Sequence, residues 1–260
     1  RDHSARDAVH ALGSLAADSS LTARLSGLLI ALTLCASPLA AQTGMAQEAD
    51  VPVPRTYGEA MNWYREAAEA GDPKAMFYLG LTLEQGLRAG GDPKDAVAWY
   101  RKSAEKGFPL AQFKLGQLYQ FGQLLEQDSA AARDWYEKAA ENKLSDAQYN
   151  LAVMLETGDG GEADGDRAIA LYHAAAEGGI PEAFLNLAGL LAQGELVEQD
   201  LVEALKWLIL AERADLSQGR AMAAAVRQLL NPTEIADAES RADRWRQTYG
   251  DRLPVTGGPN

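Results

Sequence analysis

Residues 92–107 read Asp-Pro-Lys-Asp-Ala-Val-Ala-Trp-Tyr-Arg-Lys-Ser-Ala-Glu-Lys-Gly, and residues 128–143 read Asp-Ser-Ala-Ala-Ala-Arg-Asp-Trp-Tyr-Glu-Lys-Ala-Ala-Glu-Asn-Lys. The two stretches lie 36 residues apart and share the opening aspartate, the alanine column and the Trp-Tyr pair. The same step carries Trp63-Tyr64 to Trp99-Tyr100, Trp135-Tyr136, Leu171-Tyr172 and Trp207-Leu208. Other columns keep the beat. Alanine stands at Ala75, Ala111, Ala147 and Ala183, and leucine at Leu79, Leu115, Leu151 and Leu187. Glycine stands at Gly86, Gly122, Gly158 and Gly194, and aspartate at Asp92, Asp128, Asp164 and Asp200. A fixed period of this length marks an array of supersecondary units, each stacked on the next.

Each column has a role in a helix-turn-helix unit. Helix A of the first unit, residues 73–85, is expected to bury Ala75, Leu79 and Leu83 along one face. Gly86 ends it, because the residue after a helix often takes a left-handed backbone that glycine adopts cheaply. Asp92 caps helix B, and Pro93 fits the first turn, where no amide hydrogen is missed. Asp200 and Glu203 have the spacing of a capping box. Helix B is expected to bury Ala96, Trp99, Tyr100, Ser103 and Ala104, and Gly107 closes it. The tryptophans Trp63, Trp99, Trp135 and Trp207 are expected to fill the gaps between units. A lone hairpin cannot cover such faces, whereas a stack of hairpins can. The expected organisation is a leading helix B at 56–71 and four repeats at 72–107, 108–143, 144–179 and 180–215. Capping helices follow at 216–250, the last opened by Asn231-Pro232-Thr233-Glu234, and then a Gly/Pro tail at 251–260.

The residues Ala75, Leu79, Gly80, Gly86, Asp92, Ala96, Trp99, Tyr100 and Ala104 resemble the consensus of the Sel1-like repeat family. Members of that family are relatives of the tetratricopeptide repeats. The departures are mild: Leu171 replaces a tryptophan, Lys143 a terminal glycine, and Ala152 and Ala188 the glycine after the leucine. The resemblance implies an all-α fold, a right-handed α/α superhelix with helical terminal caps. It also implies adaptor work, in which a protein partner lies in the concave groove lined by the A helices.

Periodicity names the side chains that would face such a groove. If Ala75, Leu79 and Leu83 are buried, then Lys74, Tyr78, Leu81 and Gln85 face outward. The same columns give Leu110, Lys114, Gln117 and Phe121, then Asp146, Asn150, Val153 and Thr157, then Glu182, Asn186, Gly189 and Gln193. This face runs from aromatic and basic at its start to amide-rich and acidic at its end. Asn150 and Asn186 share a column and have two readings: an amide paired with a bound peptide, or a brace within the repeat. Tyr78 and Phe121 read either as interface anchors or as ordinary packing.

Composition excludes several functions. The 260 residues carry a net charge of −13, so a phosphate backbone is repelled and no nucleic-acid partner is expected. Three histidines and one cysteine leave little for a metal or nucleophile cluster. His173 reads as a surface histidine. The loop 157–166, Thr-Gly-Asp-Gly-Gly-Glu-Ala-Asp-Gly-Asp, has carboxylates but not the spacing of a calcium loop. No catalytic residue, metal or cofactor is therefore expected, and an enzyme is not. An enzyme or enzyme accessory acting in the cell envelope, and a structural envelope or host-contact protein, are the alternatives.

Residues 24–41 read as a secretory leader: Arg24, the apolar run from Leu25 to Ala36, then small residues around Pro38 and Ala41. The run is short for a membrane span, so none is expected after cleavage. Lipidation at Cys35 is disfavoured because Leu34 sits where a small residue is wanted. Residues 1–23 lack an initiator methionine and read as an uncertain extension. Residues 42–55 read as a linker. The expected product is a periplasmic or secreted monomer that binds an envelope sensor or another secreted protein.

Overall fold

The computed structural model describes residues 57–85 and 93–250. The expected leader, linker and tail, with Gly86 and Asp92, lie outside the described residues. Among the described residues, eleven helices follow one another. They are α1 (Tyr57–Glu69), α2 (Pro73–Gln85), α3 (Pro93–Glu105), α4 (Pro109–Phe121), α5 (Ser129–Glu141) and α6 (Ser145–Thr157). Then come α7 (Gly165–Glu177), α8 (Glu182–Gln193), α9 (Leu201–Arg213), α10 (Ser217–Arg227) and α11 (Pro232–Tyr249). The A helices are α2, α4, α6 and α8, and the B helices that follow them are α3, α5, α7 and α9. Each helix from α1 to α10 packs chiefly on its neighbours in the chain, which is the organisation of an all-α solenoid.

The connections repeat as faithfully as the helices. The backbone N–H of Asp128, Asp164 and Asp200 donates to the carbonyl of Tyr119, Leu155 and Leu191 at 3.0, 2.8 and 3.0 Å. Each of these aspartates also caps its B helix, accepting from Ala131, Arg167 and Glu203 N–H respectively. Gly122, Gly158 and Gly194 end their A helices at φ 64°, 73° and 67°. The B helices end on residues of positive φ as well, glycine at Gly107 and Gly179 but Lys143 and Asp215 at φ 60° and 59°. There an L side chain pays a steric penalty that glycine avoids.

The capping box expected at Asp200 is only half formed. The Asp200 side chain accepts from Glu203 N–H, but the Asp200 N–H is already bonded to Leu191. The Glu203 carboxylate turns instead to Lys206 at 2.7 Å and Arg241 at 3.2 Å. A complete box forms at α11, where Asn231 and Glu234 satisfy each other's backbone.

The core corrects the reading of the Trp-Tyr pair. Tyr100, Tyr136 and Tyr172 are fully buried, whereas Trp99 and Trp135 are half-buried and Trp63 is 39% exposed. In α3 and α5 the second aromatic points between helices A and B. The first lies at the edge, with a lysine one turn later over its ring: Lys102 on Trp99 at 4.3 Å and Lys138 on Trp135 at 3.9 Å. Each buried tyrosine meets an A-helix aromatic of its own repeat, at 5.8 Å for Phe77–Tyr100, 5.6 Å for Phe113–Tyr136 and 5.8 Å for Tyr149–Tyr172. Gly80 and Gly116 make room, since a Cβ there would lie 2.6 Å from the ring of Tyr100 or Tyr136. Leu83, expected in the core, is only half-buried.

Trp207 is the exception, fully buried. α11 folds back onto α9 and brings Trp245 to 5.7 Å from Trp207 and 5.3 Å from Phe184. This aromatic knot closes the C-terminal end. One continuous core cluster therefore runs from Ala132 to Trp245, while the N-terminal repeats hold two smaller ones.

Candidate functional site

The A-helix face presents the residues that periodicity nominated, but it divides them into two sets. Lys74, Leu110, Asp146 and Thr157 are exposed, and Tyr78, Leu81, Gln117, Phe121, Val153, Glu182 and Gln193 are half-buried. The Gln85 side chain lies outside the described set. Gly189 and Asn186 are buried, the latter only 5% exposed, and so do not face a groove.

The column Tyr78, Lys114, Asn150, Asn186 has a different task from the one expected of it. Each member touches the tyrosine fourteen residues earlier, at the junction between repeats. Tyr78 stacks on Tyr64 at 5.6 Å. The Lys114 ammonium lies 5.8 Å from the Tyr100 ring centroid. Asn150 lies beside the Tyr136 hydroxyl, and Asn186 Nδ2 donates to the Tyr172 hydroxyl at 2.8 Å. The Asn186 amide braces the stack, which is the second of the two sequence readings given to this column. Tyr78 is ordinary packing for the same reason.

A further column completes the arrangement, and motif reasoning missed it. The hydroxyls of Tyr100, Tyr136 and Tyr172 donate to Glu84, Gln120 and Glu156, each sixteen residues earlier on the A helix. A buried hydroxyl needs such an acceptor. Burial and the nearby carboxylates push the Tyr100 and Tyr172 hydroxyls well above their ordinary value. In the fourth repeat the tyrosine is Leu208 and the acceptor is Ala192, so donor and acceptor vanish together. That covariation within one chain was the available signal.

Charge is graded along the stack. Residues 72–143 hold ten acidic and ten basic side chains, whereas residues 144–215 hold fourteen acidic and three basic. Within the acidic half, Glu156 is half-buried, and desolvation raises its carboxyl above the ordinary value. The loop 157–166 rests on α5, where Arg133 donates to the Glu162 carbonyl at 2.9 Å. Among the described residues, no group of three or more His, Cys, Asp or Glu side chains is placed to hold a metal ion.

His173 is not the surface residue expected of it. Its ring stands edge-on to Trp207 at 4.8 Å and is half-buried. Burial and the Lys206 ammonium lower its pKa, opposed in part by Glu203 and Glu177. Among the described residues, no helix is long and apolar enough to cross a membrane.

Taken together, the stacked hairpins and the polar columns between them define an all-α repeat solenoid. The Sel1 repeat family model matches residues 39–72, 73–108, 109–144, 145–180 and 181–216. The chain belongs to the Sel1 repeat family, whose members are generally non-catalytic protein-interaction scaffolds. The match counts five repeats, one more than the four full repeats read from the sequence, and the additional one ends in α1. Among solved structures, the chain is similar to a Sel1 repeat protein from Oxalobacter formigenes. The two share 28% identity and a TM-score of 0.57, over 76% of this chain and 80% of that one. It is also similar to a protective antigen of uropathogenic Escherichia coli with an SLR fold, at 25% identity and a TM-score of 0.48, over 80% of this chain and 54% of that one. No curated protein matches.

Proposed function

We propose that the chain is an exported scaffold or regulator that holds a protein of the cell envelope against its A-helix face, without covalent chemistry. One observation carries this reading. The face repeats an outward row once per unit, and its chemistry changes from Lys74 through Leu110 to Asp146 and Glu182 while the core beneath stays constant. A surface that varies on a fixed frame is suited to recognising one extended partner. Export rests on the leader-like residues 24–41, and the partner's place in the envelope follows from it.

The test is a photo-crosslinking amino acid placed at Asp146 on the A-helix face or, as control, at Lys138 on the B-helix face of the full chain. Crosslinks in intact cells should form from Asp146 and not from Lys138. Crosslinks confined to Lys138 would move the partner to the other face. Recovery of the chain in the cytoplasmic fraction with its leader retained would overturn export.

A further inference from the structure

The chain contains its own template for how a cation sits on the A-helix face. At the junction of the first two full repeats, the Glu84 carboxylate accepts the Tyr100 hydroxyl and also pairs with the Lys114 ammonium at 2.9 Å. Both partners of that pair are only 20–25% exposed. The junction one step on is neutral: Gln120 accepts from Tyr136, and Asn150 stands where the lysine was. The next junction restores the acid but not the base. Glu156 accepts from Tyr172, and the position thirty residues later, where Lys114 answers Glu84, is Asn186. Among the described residues, no lysine or arginine lies within ion-pair distance of Glu156.

Two further differences from the template favour an outside cation. Tyr149 stands where the first junction has Phe77. Its hydroxyl is buried beside Asn186, Glu156 and Glu182 without a hydrogen bond of good geometry, although the residue is only 6% exposed. Glu182 stands where the first junction has Leu110, adding a second carboxylate. A buried hydroxyl oxygen left unpaired is costly and takes an N–H donor when one is offered. The surrounding repeats, with fourteen acidic side chains against three basic, favour a basic partner.

We infer that Glu156, half-buried at the edge of the A-helix face with Glu182 and backed by the buried Tyr149, Tyr172 and Asn186, is the seat for a lysine ammonium carried by the partner chain. The incoming ammonium takes the place that Lys114 takes beside Glu84, with the Tyr172 ring as its wall. This inference rests on the A-helix face being the partner surface, and it fixes the chemistry at one point of that surface.

The test uses the full chain and the capped tripeptide acetyl-Ala-Lys-Ala-amide, with its Nε-acetylated form as the neutral control. The Asn186 side-chain amide resonance reports occupancy. The lysine peptide should shift it saturably, and the acetylated peptide should not. Glu156→Gln should weaken binding about tenfold or more, the size of one charge-assisted contact. That variant keeps its tyrosine partner, as Gln120 does with Tyr136. Asn186→Lys, which supplies the ammonium from within the chain, should abolish binding, read from the Tyr172 ring signals.

Equal affinity in Glu156→Gln, equal binding of the acetylated peptide or no saturable shift would overturn the seat. Equal binding of n-butylammonium and the lysine peptide would assign it to a free amine and overturn the partner lysine. If crosslinking from Asp146 survives at full yield in Glu156→Gln, the seat falls and the A-helix reading stands. If no crosslink forms in either protein, the A-helix reading itself falls.

Discussion

Of the two aromatic residues at the centre of each B helix, the smaller one carries more of the core. Tyr136 is fully buried, and Trp135 keeps one edge in solvent under Lys138. Tyr136→Ala should therefore cost ~3–5 kcal/mol, and Trp135→Ala clearly less, by urea denaturation. Equal losses would refute this placement. At the end of the same helix, Lys143 holds φ 60° with an L side chain. Lys143→Gly should stabilise the chain by ~1 kcal/mol, because glycine occupies that region without the Cβ clash; a lower melting temperature would contradict it. Glu156 and His173 make opposite pH predictions. The Glu156 carboxyl is raised, so the native state binds its proton more tightly. Stability is then lost as pH rises from the ordinary 4.5 through the raised value. Glu156→Gln should be more stable than wild type above that window and should lose the advantage in acid. His173 is lowered, so its contribution is complete above 6.5 and is lost as pH falls through the depressed value. His173→Phe keeps an aromatic edge on Trp207 and should flatten that part of the melting curve against pH. An unchanged pH profile would exclude the residue.

Among the elements, the last helix departs most from the repeat rule. A sixth repeat would pair α11 with α10, yet α11 lies on α9. Its anchor is Trp245, which meets Trp207, Phe184 and Tyr249, and Arg241 adds a contact to Glu203. Without this helix the end of α9 would expose a large apolar face, which a terminal cap exists to prevent. Trp245→Ala should cost ~3–5 kcal/mol and should alter the near-ultraviolet circular dichroism of the aromatic knot. Removing Arg241 should cost little, since a pair exposed on one side contributes at most ~1 kcal/mol. If the two variants melt together, the cap is held by charge and not by packing.

Across the whole molecule, contacts run between neighbours, so stability varies along the stack. The core cluster from Ala132 to Trp245 is continuous, whereas the N-terminal repeats hold smaller clusters and an exposed Trp63. Amide hydrogen exchange should be fastest in α1 and α2 and slowest in α6 to α9. Uniform protection from end to end would show the solenoid opening as one unit. Charge and core continuity are graded in the same direction, so the acidic half of the A-helix face lies over the larger core cluster.

The sequence by itself determined the architecture. A period that returns capping aspartates, helix-ending glycines and core alanines at fixed spacing permits one kind of stack, because each is a local backbone requirement. It also marked the outward columns, and the joint loss of Tyr and acceptor at Leu208 and Ala192 was legible to a reader who compared columns. Only the tertiary structure decided which aromatic of each pair is buried, because both lie on adjoining parts of the helix face and the neighbouring helix selects between them. It alone turned Asn186 from a groove residue into a brace, through a hydroxyl that reaches across a repeat boundary. The isolation of Glu156 has the same origin: whether a carboxylate meets a cation depends on a side chain thirty residues away, brought near by stacking.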